Sequence, residues 1–140
     1  MTNQDRVRDL PGMIEIHRTV TESDIVLFAG ITGDLNRIHM DETYARSTKV
    51  GSRVAHGIFV QGLMSTACTA WADREGLPIL SYGWDRVRFI RPVRIGDTIT
   101  AAYAAVDPAG ADAKRFARAD AHNQHGELVA VGTHILYILD

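Results

Sequence analysis

The amino-acid sequence predicts one α+β domain in which a buried helix packs against an antiparallel sheet. Residues 58–71 form an apolar run of helical length that lacks a polar stripe. From residue 81 onward, apolar and polar residues alternate between short turn sequences, which is the pattern of successive antiparallel strands. The chain of 140 residues contains no internal repeat or linker and has the size of one ordinary domain. We therefore interpret residues 1–140 as a single domain.

Composition and charge exclude several classes of protein. The hydrophobic fraction of 46% and the charged fraction of 23% are typical of globular domains in water. A formal net charge of −2 is not that of a nucleic-acid binder. The polar N-terminus is unlike a signal peptide, and the apolar runs fall short of the roughly 18–20 residues that span a membrane. The single cysteine, Cys68, cannot form an intramolecular disulfide, which predicts a reduced, cytoplasmic protein, although a secreted chain without disulfides would look the same.

The first part of the chain is predicted to form a strand, over residues 13–20, and then a helix. Thr21 and Asp24 have the spacing of a reciprocal capping pair, which predicts the start of that helix. Gly30 and Gly33 are its two candidate ends, because glycine readily adopts the left-handed conformation that terminates helices.

A longer helix is predicted from residue 58. Its apolar side chains surround the axis on every side, which is typical of a buried helix. Small residues would let neighbouring backbones come close to it, namely Gly62, Ser65, Ala67, Cys68 and Ala70. Strands are predicted to wrap it, at residues 81–91, 99–105, 114–122 and 128–139, with turns at residues 95–97, 107–110 and 123–126.

The densest polar cluster of the sequence follows the first helix and precedes a short helical turn predicted over residues 41–44. It contains Asp34, Asn36 and His39 in a loop that starts with a glycine. A carboxylate and an imidazole brought to one point can hold a water molecule and remove its proton. Asn36 would orient that water or fix the loop backbone. The spacing alone equally suits ordinary loop residues that bond their own backbone, with His39 on the surface.

A second feature, the pair His56-Gly57, lies at the start of the long helix. A helix N-terminus has free N–H groups and the positive end of the dipole. If a thioester carbonyl faced this end, the N–H of Gly57 would stabilise negative charge on its oxygen. Glycine would also let the ligand approach the backbone closely. The alternative is structural: Gly57 eases entry into the helix and His56 caps it.

Together these segments resemble the MaoC-like, or (R)-specific enoyl-CoA hydratase, family. Its motif is a helix end, then Gly-Asp-x-Asn-Pro-(apolar)-His, and later an apolar His-Gly-(apolar) step into the central helix. Residues 28–41 read FAGITGDLNRIHMD and residues 54–58 read VAHGI. The stretch VRFIRPVRIGD at residues 87–97 is similar to a paired-strand region of the family. The resemblance covers about residues 13–138, in three segments that occur in the right order.

The resemblance implies the hot-dog fold, in which a curved antiparallel sheet wraps a long central helix. It also implies a homodimer or a higher homo-oligomer with active sites near the interface. By match to the motif, Asp34 and His39 are the catalytic pair and Gly57 is the backbone donor to an oxyanion. Ser65 falls where the family has a serine in the substrate pocket, and a packing role for this small residue is an equal alternative.

The activity that the resemblance implies is reversible syn addition of water to a 2-enoyl thioester, which gives an (R)-3-hydroxyacyl thioester. Asp34 and His39 would hold the water, and the sequence does not decide which of them is the base. The expected substrate is an acyl-CoA or a carrier-protein-bound thioester. Two other functions stay open: a hot-dog acyl-CoA thioesterase and a non-catalytic subunit that binds acyl thioesters.

One departure from the motif is Arg37, which stands where the family usually has proline. Loss of proline would leave the loop less rigid. An arginine would instead contact an anionic substrate or lie solvated on the surface. Arg88 and Arg91 are candidate contacts for the CoA phosphates, and the solvated face of an edge strand is the alternative interpretation.

No cofactor or metal ion is expected, because CoA is part of the proposed substrate. The sequence has no glycine motif of the kind that binds nicotinamide or adenine nucleotides. The histidines outside the two motifs lack convincing metal-ligand spacing, and they are His17, His122, His125 and His134.

Overall fold

The computed structural model describes residues 6–106 and 112–139. Its α-helices are α1 (Glu22–Thr32), α2 (Arg37–Met40), α3 (Glu42–Arg46) and α4 (Gly57–Glu75), and a short 3₁₀ helix covers Val7–Asp9. Its strands are β1 (Ile14–Thr19), β2 (Ile79–Phe89), β3 (Thr98–Ala105), β4 (Lys114–His122) and β5 (Leu128–Ile138). The predicted turn at residues 107–110 lies outside the described residues.

The five strands form one antiparallel sheet in the order β1-β3-β4-β5-β2. Helix α4 packs across one face of this sheet, against β1, β3 and β4. The α+β architecture predicted from the sequence is therefore confirmed. None of the helices in the described part of the chain has both the length and the apolar character to cross a bilayer.

The core lies between α4 and the sheet. Met64, Ala67 and Trp71 face the strands and are almost fully buried, and each large buried side chain contributes about 1.5–3 kcal/mol. Cys68 lies in the same layer beside Tyr103, and burial raises the pKa of its thiol.

The opposite face of α4 is uncovered in the single chain, which corrects the prediction of a helix wrapped on all sides. Ile58 is 58% exposed, and Gly62 and Thr66 are exposed further along the same helix. Because the sheet covers only one side of α4, the residues on the other side of the helix are exposed.

The ends of α1 follow local rules, with one correction. The Thr21 side chain accepts a hydrogen bond from the Asp24 N–H and the Asp24 carboxylate accepts one from the Thr21 N–H, as predicted. The helix ends at Gly33, whose φ of 78° is left-handed. Gly30 does not end it, because a glycine inside a helix costs only about 1 kcal/mol relative to alanine.

Strand β2 contains a bulge that the regular alternation of the sequence does not indicate. Its register with β5 shifts between Asp85 and Arg88, and Arg86 has a left-handed φ of 54°. The regular alternation predicted for the strand at residues 81–91 is therefore interrupted at Arg86. An inserted residue breaks the two-residue period of a strand and increases its bend.

A polar network crosses the apolar core at His134, which is only 1% exposed. Its Nδ1 is hydrogen-bonded to the Tyr103 hydroxyl and its Nε2 to the Ser81 hydroxyl, each at 2.8 Å. The ring also stacks on Trp84, with 4.4 Å between centroids. Burial lowers the pKa of His134 to about 4 and so keeps the imidazole neutral.

This burial predicts a loss of stability in mild acid. The unfolded chain binds a proton at His134 near pH 6.5, whereas the fold resists it until about pH 4. The contribution of His134 is therefore complete above pH 6.5 and lost progressively as the pH falls toward 4. We expect the Tm to fall over this range in calorimetry. His134→Gln should lower the Tm at pH 7 and flatten that dependence, whereas His17→Gln, on the exposed face of β1, should leave the dependence unchanged.

Candidate active site

The loop between α1 and α2 places Asp34 at the surface. Its N–H donates to the Thr32 hydroxyl at 3.2 Å, and its Oδ1 accepts the Asn36 N–H at 3.3 Å. The Asp34 side chain remains 53% exposed. Local hydrogen bonds therefore shape the loop while leaving a carboxylate oxygen accessible.

Asn36 is the N-cap of α2. Its Oδ1 accepts the N–H of Ile38 at 3.1 Å, and its carbonyl accepts the N–H of His39 at 2.9 Å. Of the two roles considered for Asn36, the structure gives it that of fixing the backbone. The helical turn that it starts brings His39 back beside Asp34.

The orientation of the His39 ring is set by the segment before α4. Its Nδ1–H donates to the carbonyl of Val54 at 2.7 Å. Because a carbonyl oxygen only accepts hydrogen bonds, Nδ1 carries the proton of the neutral ring and Nε2 holds a free lone pair. The Arg53 guanidinium donates to the His39 carbonyl at 2.6 Å and to Glu22 at 2.6 Å, which ties this helical turn to α1.

His56 occupies the N-cap position of α4, but its side chain makes no capping hydrogen bond. Its Nε2–H instead donates to the Asp34 carbonyl at 2.9 Å. The ring is 3% exposed and stacks on that of His39, with 3.8 Å between centroids. His56 is thus the N-cap by position, as considered, while its side chain connects the loop of Asp34 to His39.

The three side chains converge. One carboxylate oxygen of Asp34 and one ring nitrogen each of His39 and His56 all lie within 4.8 Å of one another. Because a hydrogen bond to water spans about 2.7–3.2 Å, one water molecule can bind Asp34 and His39 together across this gap. Two of the four ring nitrogens, Nδ1 of His39 and Nε2 of His56, are directed at carbonyl oxygens and are not available as metal ligands, which leaves Nε2 of His39 and Nδ1 of His56.

Gly57 is the first residue of α4, so its N–H has no acceptor within the helix. A Cβ at this position would lie 2.6 Å from the ring of Phe89. Any residue other than glycine would therefore force the Phe89 ring to move. In the single chain, the group that lies close to the Gly57 backbone is thus the Phe89 ring. A cavity of about 270 Å³ opens beside Gly57, and Phe89 and Arg91 are among the residues that line it.

The other predicted residues are more dispersed. Ser65 is half-buried on α4, about 12 Å along the helix axis from Gly57 at a rise of about 1.5 Å per residue. Arg91 donates to the Leu128 carbonyl at 2.9 Å beside the cavity. Arg88 donates to the carbonyl of its own neighbour on an exposed part of β2.

A sequence profile described as the MaoC like domain matches residues 11–125. The chain belongs to the MaoC-like domain family. It is 42% identical over 84 residues to the (R)-specific enoyl-CoA hydratase of Rhodospirillum rubrum, a match covering 60% of this chain and 56% of the relative. It is 39% identical over 89 residues to the 3-hydroxybutyryl-CoA dehydratase of Methylorubrum extorquens, covering 63% and 55%. The chain thus spans about half the length of these curated relatives.

The structure of this MaoC-like domain has the hot-dog fold that the motifs implied. It superposes on the R-hydratase PhaJ1 of Pseudomonas aeruginosa with a TM-score of 0.76 and 27% identity. The superposition covers 91% of this chain and 80% of that chain.

Arg37, which replaces the proline of the family motif, is the first residue of α2 in this MaoC-like domain. Its guanidinium donates to Asp41 at 3.0 Å and lies 4.3 Å from the centroid of the Tyr44 ring. The side chain therefore folds back along α2 and α3. Of the three interpretations considered, this exposed position agrees with that of a surface arginine.

We expect proline to be tolerated at position 37. The first N–H of a helix needs no acceptor, and Asn36, with φ −53° and ψ 133°, already has the backbone that precedes proline. Arg37→Pro should change the free energy of unfolding by less than about 1 kcal/mol, because the ion pair that it removes is exposed. Urea denaturation checks this, with Arg37→Gly as the comparison. A proline variant less stable than the glycine variant would contradict the argument.

Sequence reasoning missed the roles of His56, Arg53 and Phe89. The pair His56-Gly57 was visible as a motif, but only the fold shows that the ring lies against Asp34 and His39. A basic residue that is buried, such as Arg53, leaves no local pattern in a sequence. Phe89 is 32 positions beyond Gly57 along the chain, and nothing in the sequence pairs them.

Proposed function

We propose that this chain is a hydratase/dehydratase that adds water reversibly to a 2-enoyl thioester and gives an (R)-3-hydroxyacyl thioester. One observation carries the proposal: the convergence of Asp34 and His39 within 4.8 Å beside the N-terminus of α4. Membership of the MaoC-like family and the names of the two hydro-lyase relatives support it.

The hydrogen bond to Val54 makes His39 the base in this proposal, because its Nε2 is free to accept a proton. Asp34 accepts the second hydrogen bond of the water and stabilises the imidazolium that forms. As the water oxygen bonds to C3, a proton of the water passes to Nε2. The π electrons of the C2=C3 bond move toward the carbonyl and form an enolate, with the negative charge on the thioester oxygen. The N–H of Gly57 and the dipole of α4 stabilise that oxyanion. The imidazolium then returns a proton to C2 on the same face.

The remaining substrate contacts are also part of the proposal. Arg91, beside the cavity at Gly57, would meet a phosphate of CoA or of a carrier-bound pantetheine. Arg88 would contact the phosphate only after its side chain releases the carbonyl of Val87. Ser65 would line the acyl pocket. The reaction requires no cofactor or metal ion in this scheme.

The purified chain and crotonyl-CoA test the proposal. Hydration removes the ultraviolet absorbance of the enoyl thioester without releasing thiol, and the product should be (R)-3-hydroxybutyryl-CoA by chiral chromatography. A thioesterase would release free CoA, which a chromogenic thiol reagent detects. Binding of the substrate with neither change would favour a non-catalytic subunit and reject the hydratase.

We also propose that the chain forms a homodimer through β2. Within the described residues, β2 is an edge strand that pairs with β5 on one side only. It exposes 61% of Leu80 and 63% of Tyr82, and a long apolar edge favours pairing with another strand.

Leu80→Lys is therefore expected to convert a dimer into a monomer, because it places a charge in the apolar edge. Size-exclusion chromatography with light scattering measures the mass against the 15.4 kDa of one chain. Phe116→Lys, on the exposed face of an inner strand, should leave the dimer intact. A monomeric wild type, or a dimeric Leu80→Lys variant, would contradict this proposal.

A further inference from the structure

The His56 ring fills the space between α1 and the turn that carries His39. It stacks on His39, with 3.8 Å between centroids and 27° between the planes, and the Phe28 ring lies tilted against it with 4.7 Å between centroids. With 3% exposure, the ring has no direct access to solvent. His56 therefore limits how far His39 can tilt.

The two ring nitrogens of His56 have different surroundings. Nε2–H donates to the Asp34 carbonyl at 2.9 Å, and the same nitrogen lies 4.0 Å from Oδ2 of that residue. Nδ1 is buried without a hydrogen-bond partner among the described residues. A buried nitrogen without a partner lowers stability relative to an apolar ring of the same size. Packing alone would thus favour phenylalanine at this position.

Both members of the reactive pair are held by one short segment. Val54 accepts the Nδ1–H of His39, and His56, two residues later, donates to the Asp34 carbonyl. The Asp34 carboxylate is otherwise on an exposed loop whose remaining hydrogen bonds are local. The hydrogen bond from His56 fixes the Asp34 loop relative to the start of α4.

We propose that His56 is a positioning residue that fixes Asp34 relative to His39 through the Nε2–H bond. The expected effect of this bond on kcat rests on the proposed function, whereas its expected effect on the order of the Asp34 loop does not. Loss of the bond leaves the ring stack intact and lets the Asp34 carboxylate leave the water site. Such misplacement lowers kcat more than it raises KM, because the substrate keeps its other contacts.

Two substitutions separate the hydrogen bond from the ring. His56→Phe keeps an aromatic ring and removes the donor, whereas His56→Gln keeps an N–H at the position of Nε2 and removes the ring. We expect His56→Phe to lower kcat about 10–100-fold with little change in Tm. His56→Gln should retain more activity than the phenylalanine variant despite its poorer packing.

A double-mutant cycle with Asp34→Asn tests whether His56 acts through Asp34. In the Asp34→Asn background, His56→Phe should reduce the residual kcat by less than about threefold, because no carboxylate remains to be positioned. An equal reduction in both backgrounds would overturn the proposal.

Backbone order parameters measured by NMR provide a readout that does not depend on activity. For Asp34 and Leu35 they should fall from about 0.85 to below about 0.6 in His56→Phe and stay high in His56→Gln. Unchanged values in His56→Phe would overturn the proposal even if the wild type proves active. A wild type that lacks hydratase activity, with order parameters that fall as expected, would reject the proposed function and leave the positioning role supported.

Discussion

Asp34→Asn is expected to lower the kcat for hydration of crotonyl-CoA by about 10²–10⁴-fold. The amide keeps the shape of the side chain and can still accept the Asn36 N–H through its oxygen. It has no negative charge with which to stabilise an imidazolium at His39. Because the side chain is exposed, the Tm should change little.

Steady-state kinetics and a thermal melt on the same preparation check this expectation. Asp73→Asn makes the same chemical change on an exposed part of α4 and should leave kcat unaltered. If Asp34→Asn kept most of the wild-type rate, the carboxylate would have no part in the reaction.

His39→Asn is the second substitution with a large expected effect, a loss in kcat of about 10²–10⁴-fold. The asparagine amide reproduces the position of Nδ1–H and can donate to the Val54 carbonyl, which His39 now contacts at 2.7 Å. It has no counterpart of Nε2, the nitrogen that we propose to take the proton. The variant therefore separates the structural nitrogen of the ring from the reactive one.

The matched control for this change is His125→Asn, which alters an exposed histidine in the turn between β4 and β5. Circular dichroism should show that both variants fold. An active His39→Asn variant would mean that another group, Asp34 foremost, is the base.

The parts of the fold that local rules determine could be predicted from the sequence. Thr21 and Asp24 cap α1 because their spacing allows reciprocal hydrogen bonds, whatever the rest of the chain does. The alternation in residues 114–122 gave β4 with the bounds that it has in the structure. The bulge at Arg86 and the uncovered face of α4 depend instead on how the sheet bends and where it stops, which no short pattern records.

The candidate site divides in the same way. The chemistry of Asp34 and His39 was visible because their residue types and spacing match a motif. Which ring nitrogen of His39 carries the proton was not visible, because this depends on the carbonyl of Val54, 15 residues away along the chain. The substitution of proline by Arg37 looked like a loss of rigidity, because its partners Asp41 and Tyr44 become neighbours only when α2 and α3 have formed.

The burial of Cys68, 2% exposed and with the pKa of its thiol raised, has a practical consequence. A buried, protonated thiol reacts slowly with maleimides and disulfide reagents, so the native chain should give almost no background in a labelling experiment. A cysteine introduced at Ile31, which is 84% exposed and three residues from Asp34, would then be the one fast-reacting position. A fluorophore attached there would report on ligand entry in a protein that keeps its natural core.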